Sequence, residues 1–254
     1  MHDDFFEPLA LGTFDRGSLR VQWTNEQRDT TTALERLIAR AWRIKSRQVR
    51  AEGGSLFAGP LCRLVSHAVE DAMLHLTLGP TNYRDLVGTN LCHPELWPSL
   101  GPRFFSNALA VHATIATVDG YLLVFQRSRL VGEHAGHYDV CGGHIDPALD
   151  LREGIPDPFA TVLRELQEET GIPPGRVTRV TCRGLVRSRE TYKPDLIFTL
   201  ETSLPSRDVI AAPLDAEHTR QILLPNRREE IAQFLDEHQD DLAPAGRACL
   251  ELHQ

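Results

Sequence analysis

Pro158-Phe159-Ala160-Thr161-Val162-Leu163-Arg164-Glu165-Leu166-Gln167-Glu168-Glu169-Thr170-Gly171-Ile172 is the stretch on which the reading of this chain turns. Its chemistry predicts one helix. Asp157 suits the N-cap, Pro158 the first helical position, and Gly171 followed by Ile172-Pro173-Pro174 supplies the stop. Val162, Leu163 and Leu166 form an apolar stripe fit to dock on a sheet, while Glu165, Glu168 and Glu169 stand at i, i+3 and i+4 and share a face. Like charges at that spacing repel by roughly 0.2–0.5 kcal/mol per pair in water. Mg²⁺ or Mn²⁺, which take hard carboxylate oxygens, would turn the repulsion into attraction; an ordinary solvated acidic face is the other reading. Arg164, next to Glu165 and four residues before Glu168, can hold one carboxylate in a fixed orientation.

Around that helix, 254 residues allow one large domain or two moderate ones. Lys and Arg number 27 against 35 Asp and Glu, a formal charge of −8, which argues against nucleic acid or an anionic membrane as the main partner. Cys62, Cys92, Cys141, Cys182 and Cys249 are odd in number and never form a Cys-x-x-Cys pair, which reads as reduced thiols rather than a disulfide framework or a zinc site. The acidic start, Met1-His2-Asp3-Asp4-Phe5-Phe6-Glu7, lacks an apolar signal core, and no stretch approaches the ~18 apolar residues of a membrane helix. The expectation is a soluble, cytoplasmic protein; the pattern leaves monomer and homodimer open.

Before the helix, residues 18–23 read as a short strand, and Thr24 or Asn25 as the cap of a helix reaching about Arg50, with Leu34, Leu37, Ile38, Ala41 and Trp42 on its core face. Residues 61–69 and 73–78 read as a hairpin about Glu70-Asp71. A polar connection over residues 79–90 follows, in which Tyr83, Arg84 and Asp85 either simply turn the chain or stack on a base and bind hydroxyls or phosphates. Pro94, Pro98 and Pro102 punctuate a linker, and the domain boundary is placed near residue 104. Residues 107–118 and 121–127 form the strongest hairpin signal, joined by Asp119-Gly120 in an expected type I′ turn. The second strand ends in Gln126-Arg127-Ser128-Arg129, a basic cluster fit for an anion. A stretch from Val131 to His137 leads to Tyr138-Asp139-Val140-Cys141-Gly142-Gly143-His144, where the glycines let backbone approach a ligand and free carbonyls for a metal. His134, His137 and His144 lack zincin spacing and read as loop histidines.

Gly142-Gly143, with Arg164-Glu165-Leu166-Gln167-Glu168-Glu169-Thr170-Gly171-Ile172 beyond it, resembles the Nudix box, GX5EX7REUXEEXGU with U aliphatic. The second half matches at every specified position. The first half departs from the pattern: residues 144–163 make twenty positions between Gly143 and Arg164 where the family has thirteen, and Pro156 stands where the family has Glu. Glu153 and Asp157 are the acidic residues nearby. Tyr83-Arg84-Asp85, Gly88-Thr89-Asn90, Phe125 to Arg129 and Asp139 to His144 are further similar to UDP-sugar Nudix hydrolases of the UDP-glucose pyrophosphatase type, which carry an extra N-terminal domain.

The resemblance implies an α/β/α sandwich with a mixed sheet over residues 105–254, preceded by a smaller α+β domain over 1–104 that helps bind substrate. It implies a hydrolase of phosphoric anhydrides using Mg²⁺ or Mn²⁺, held by Glu165, Glu168, Glu169 and the Gly142 carbonyl, with Arg164 orienting a carboxylate. Tyr83, Arg127, Arg129 and Asp139 would meet the substrate, a UDP-glucose or UDP-galactose split to UMP and sugar 1-phosphate. A base from Glu165, Glu190 or Glu217 stays open, as do ADP-ribose or NADH as substrate and a purely sensing role. After the box, residues 177–187, 194–204 and 221–224 read as strands, Pro205 to Arg220 contains a late loop, Asn226 with Glu229 resembles a capping box, and residues 244–253 read as a last helix.

Overall fold

The computed structural model of the chain describes residues 5–129, 133–210 and 216–253. Strands β1 (Phe6–Phe14) and β2 (Leu19–Trp23) precede helix α1 (Thr32–Ala51), after which β3 (Pro60–Glu70) and β4 (Met73–Asn82) form an antiparallel hairpin. Asp71 and Ala72 turn it with φ of 49° and 61°, the paired left-handed geometry that matches strand twist. Helix α1 starts later than Thr24 or Asn25 suggests. Thr24 N–H is bonded to the Leu78 carbonyl (2.8 Å), Asp29 N–H to that of Arg103 (2.8 Å), and the Arg28 guanidinium to Asp85 (2.7 Å). Those bonds hold residues 24–29 off the helical path, and Thr31 makes the cap by accepting from Leu34 N–H.

Residues 79–90 are not a plain connection. They comprise the end of β4, one turn of helix α2 (Tyr83–Leu86) capped by Asn82, and a π-helical turn begun at Val87. Gly88 lets α1 cross here, since a Cβ would sit 2.5 Å from Ile38 Cγ2 and 2.7 Å from Ile38 Cα. Gly88→Ala is therefore expected to cost about 1–3 kcal/mol through overpacking, seen as a lower urea midpoint at unchanged slope. Helix α3 (Trp97–Leu100) occupies the proline-marked linker.

The remaining elements are β5 (Ala110–Ala116), β6 (Tyr121–Arg127), β7 (Tyr138–Asp139), β8 (Cys141–His144), β9 (Leu151–Arg152), β10 (Ile155–Pro156), α4 (Pro158–Thr170), β11 (Val177–Ser188), β12 (Pro194–Thr202), α5 (Ser206–Ile210), β13 (His218–Pro225), α6 (Arg228–Glu237) and α7 (Pro244–Leu252). The large sheet runs β1-β11-β12-β5-β6-β13, with β8 paired to β5 and β7 to β6; β12 and β5 are parallel. The first strand of the chain thus extends the large sheet by pairing with β11, while β2, β4 and β3 make the small one.

Successive residues of a strand point to opposite faces, and both faces of the large sheet are covered. Val111, Ala113 and Ile115 of β5 and Leu196 and Phe198 of β12 share a core with Phe159, Val162 and Leu166 of α4 and with Leu74, Leu76 and Leu78 of the small sheet. Leu122, Val124, Ile231, Phe234 and Leu250 close the opposite face beneath α6 and α7. The result is a mixed α/β sandwich in which the small sheet packs into the same core as helix α4.

Two local expectations are corrected. Between β5 and β6, Gly120 takes a positive φ (86°) and Asp119 does not, so the turn is not type I′. Thr117 displaces it: its hydroxyl donates to the Asp119 carboxylate (2.7 Å) and accepts from Tyr121 N–H (3.0 Å). At the other end, Asn226 does not cap α6; Arg227 is the N-cap, without a side-chain bond, and Asn226 Oδ1 meets His253 Nε2 at 3.1 Å.

Candidate active site

Helix α4 forms as its residues dictate. Asp157 accepts from Phe159 N–H (2.9 Å), Pro158 opens the first turn, and Gly171 ends the helix at φ 69°. Its apolar stripe fixes its rotation, and that rotation splits the three glutamates. Glu169 is buried and accepts from Gly142 N–H at 3.3 Å, Glu165 is half-buried against β8, and Glu168 faces solvent. Gly142 and Gly143 lie within β8, paired with His112 and Val111, rather than in a loop after a strand. They are glycine for lack of room: a Cβ on Gly143 would stand 2.3 Å from Glu165 Oε1, and one on Gly142 would stand 2.4 Å from the Val111 carbonyl.

Arg164 binds three carboxylates. Its Nη2 lies 2.9 Å from Glu165 Oε1, its Nη1 2.7 Å from Glu168 Oε2, and its Nε 3.0 Å from Asp150 Oδ2. It therefore orients both candidate glutamates rather than one. Asp150 is buried, and its carbonyl accepts from Asp157 N–H at 2.7 Å, which ties it to the start of α4. Neither acidic residue noted in the sequence meets Arg164: Asp157 is the helix cap and pairs with Arg16, and Glu153 sits exposed in a turn at φ 55°. The extra residues before the helix form the two-stranded β9–β10 ribbon, and this loop of changed length is why spacing did not reveal Asp150.

Burial, with the like charges of Glu168 and Glu217 adding to it, pushes the Glu165 carboxyl up to about 7 despite Arg164. That environment suits a hard divalent cation, which would replace the proton and relieve the repulsion. Among the described residues no three carboxylate, imidazole or thiol groups already converge on one point, because Arg164 draws Glu165 and Glu168 to itself. The donors fit such an ion in kind.

Of these groups Glu165, Gly142 and Gly143 line a cleft of about 510 Å³, within the usual range for small-molecule sites. Of the residues expected to meet substrate, Tyr83, Arg127 and Asp139 line it and Arg129 does not; Arg129 is exposed at the strand end. Arg127 donates from Nη1 to Asp139 Oδ2 (3.1 Å) and from Nε to the Glu133 carbonyl (3.2 Å). Glu217 lines the cleft too, and Glu190 does not. His144 belongs to β8 rather than to a loop, His134 lies in a loop as expected, and both line the cleft. Val131 and Gly132, and residues 211–215 of the late loop, lie outside the described residues.

Sequence reading missed the cleft floor. Lys193 Nζ lies 3.2 Å from Glu133 Oε2 and 3.3 Å from Asp195 Oδ1, and His112 Nε2 stands 3.4 Å from the same Asp195 atom. Desolvation alone would discharge these groups, but mutual attraction holds the Lys193 ammonium above its ordinary range and Asp195 and Glu133 below theirs. Burial and the Lys193 charge depress His144 to about 4. The turn presenting Lys193 is fastened by the N-terminal half: Asn90 Nδ2 donates to the Thr191 carbonyl (3.0 Å), and Trp97 stacks on Tyr192 at 4.7 Å. Asn90 thus shapes the site from outside it, while Asp85 and Arg84 pair with Arg28 and Glu35.

A glutamate-bearing helix packed on a glycine strand, on a mixed sheet covered on both faces, sets hard oxygen donors at the edge of a cleft. Residues 107–239 match the NUDIX domain, and the chain belongs to the Nudix family, whose members act on phosphoric anhydrides and generally use divalent metal ions. It is similar to Nudix hydrolase 9 of Arabidopsis thaliana, 30% identical over 69% of this chain and 66% of the relative. It is also similar to the human protein named uridine diphosphate glucose pyrophosphatase NUDT22, 29% identical over 61% of this chain and 59% of the relative. The chain spans about three fifths to two thirds of the length of these curated relatives. A solved MutT protein from Methanosarcina mazei Go1 overlays 57% of the chain and 90% of its own, with TM-score 0.38 and 23% identity. All five cysteines are free, and no helix among the described residues is long and apolar enough to cross a membrane.

Proposed function

We propose that the protein hydrolyses a UDP-sugar, such as UDP-glucose or UDP-galactose, to UMP and sugar 1-phosphate. The observation that carries this reading is one cleft in which Glu165 and the Gly142-Gly143 strand meet Tyr83, Phe57 and Lys193, joining hydrolytic carboxylates to aromatic and polar walls. The name of the human relative, uridine diphosphate glucose pyrophosphatase, supports the choice of nucleotide. The N-terminal residues 1–104 act as part of the substrate site, since Ser55, Leu56, Phe57 and Tyr83 line the same cleft.

Glu165, Glu168, Glu169 and the Gly142 carbonyl would hold a Mg²⁺ or Mn²⁺ ion. When bound, that ion offsets diphosphate charge and lowers the pKa of a water. Arg164 keeps Glu165 and Glu168 in place. Arg127, half-buried beside Asp139, grips a diphosphate oxygen by a charge-assisted bond. Glu165 or Glu217 takes the proton from the attacking water, both being carboxylates that line the cleft. Reduced thiols suit a cytoplasmic setting.

A panel of nucleoside diphosphate compounds with Mg²⁺, with products identified, tests this. UDP-glucose or UDP-galactose is expected to be turned over fastest, giving UMP and sugar 1-phosphate. Release of UDP and free sugar, or faster cleavage of ADP-ribose or NADH, would overturn it.

A further inference from the structure

The floor of the cleft carries polar groups that cleavage of a diphosphate does not use. Lys193, Asp195 and His112 are each more than nine-tenths buried, at 7%, 2% and 6% exposure, and line the cleft with Glu133 and His144. Among the described residues, His112 Nδ1 and Nε2, His144 Nε2 and Asp195 Oδ1 are buried with no hydrogen bond of good geometry. Asp195 Oδ1 has Lys193 and His112 only at 3.3 and 3.4 Å. A polar network left partly satisfied in a low-dielectric interior is costly unless something completes it.

We propose that this cluster is a hydroxyl-binding subsite that seats the sugar of the substrate. The inference rests on reading the cleft as that of a nucleoside diphosphate hydrolase. A pyranose presents hydroxyls that both donate and accept, and the cluster offers both in kind: an ammonium that only donates, carboxylates that only accept, and imidazoles that do either. Its charge selects the same ligand. Glu133 and Asp195 outnumber Lys193, so a phosphate or carboxylate meets net repulsion here, and a neutral polyol meets none. A base is better served by the opposite kind of surface, the apolar rings of Phe57, 80% exposed at the rim, and Tyr83. The turn that presents Lys193 is fastened by Asn90 and Trp97, so the N-terminal half determines sugar recognition without touching the sugar with those two residues. A site built on unpaired buried polar atoms rejects analogues lacking the matching hydroxyl.

Calorimetric titration of the full chain tests the subsite, using UDP-glucose and the methyl ester of UDP, which keeps the diphosphate but lacks the hexose. Divalent cation is withheld so that neither is hydrolysed. The wild type is expected to bind the sugar ester at least about tenfold more tightly. Asp195→Asn, close in shape, is expected to bring the two affinities within about threefold of each other. Because that change leaves Lys193 short of a counter-charge, Glu133→Gln at the other side of the ammonium serves as the second variant, with the same collapse expected, and thermal melts establish that each is folded. A preference retained in both folded variants, or a wild-type preference near one for every hexose tried, would overturn the subsite while leaving the hydrolysis reading intact. Wild-type preference for a sugar diphosphate of another base, lost in the variants, would instead remove uridine and uphold the subsite.

Discussion

Glu165→Gln is expected to lower Mg²⁺-dependent turnover of a nucleoside diphosphate sugar by about 10²–10⁴-fold. The amide keeps the shape that Gly143 was hollowed to admit but loses the charge and the basic oxygen. Initial rates at saturating substrate check it, and turnover within a few-fold of wild type would remove Glu165 from the chemistry. The same variant carries a stability signature. With its folded carboxyl raised to about 7, Glu165 binds a proton more tightly when folded than when unfolded. Its contribution is therefore fully present below its ordinary range near 4.5 and is lost as pH rises through about 7, a difference of up to about 3 kcal/mol. In EDTA, the wild type should lose this stability between pH 5 and 8 where Glu165→Gln does not, and added Mg²⁺ should restore it at pH 8. Parallel pH profiles for the two proteins would refute the assignment.

Lys193→Met is expected to destabilise the protein by about 3–5 kcal/mol, because it leaves Glu133 and Asp195 as uncompensated buried charges. Urea unfolding at neutral pH measures it. The sign with pH is opposite to that of Glu165. Asp195 and Glu133 are held below the ordinary carboxylate range, so the stability from their pairing is present above that range and is lost as pH falls. The gap between wild type and variant should therefore narrow on acidification, and adding Asp195→Asn to the variant should recover part of the loss. Additive losses in the double variant would refute the pairing.

Helix α4 was legible because every local signal agreed: a cap at Asp157, proline at the first position, a 3.6-residue apolar stripe, and glycine at the end. The runs of β6 and β12 were legible for a similar reason, Leu122 to Phe125 and Leu196 to Phe198 being apolar on both faces. What failed were features in which a distant partner overrides a neighbour. Residues 24–29 are held extended by bonds to Leu78, Asp85 and Arg103, and Asn226 is drawn away from α6 by His253. Asp150 was missed because its partner lies across a loop whose length departs from the family pattern.

By itself the sequence determined the glutamate-bearing helix, its carboxylates, the glycine pair and the α/β order of the elements, since those depend on spacing within a few residues and on burial periodicity. Only the tertiary structure decided which glutamates turn inward, that Asp150 shares Arg164, and that Glu133, His112, Lys193 and Asp195 meet on one floor. Lys193 and Asp195 stand together at the start of β12, but His112 comes from β5 and Glu133 from the loop before β7, and no spacing along the chain encodes contacts that the sheet order creates.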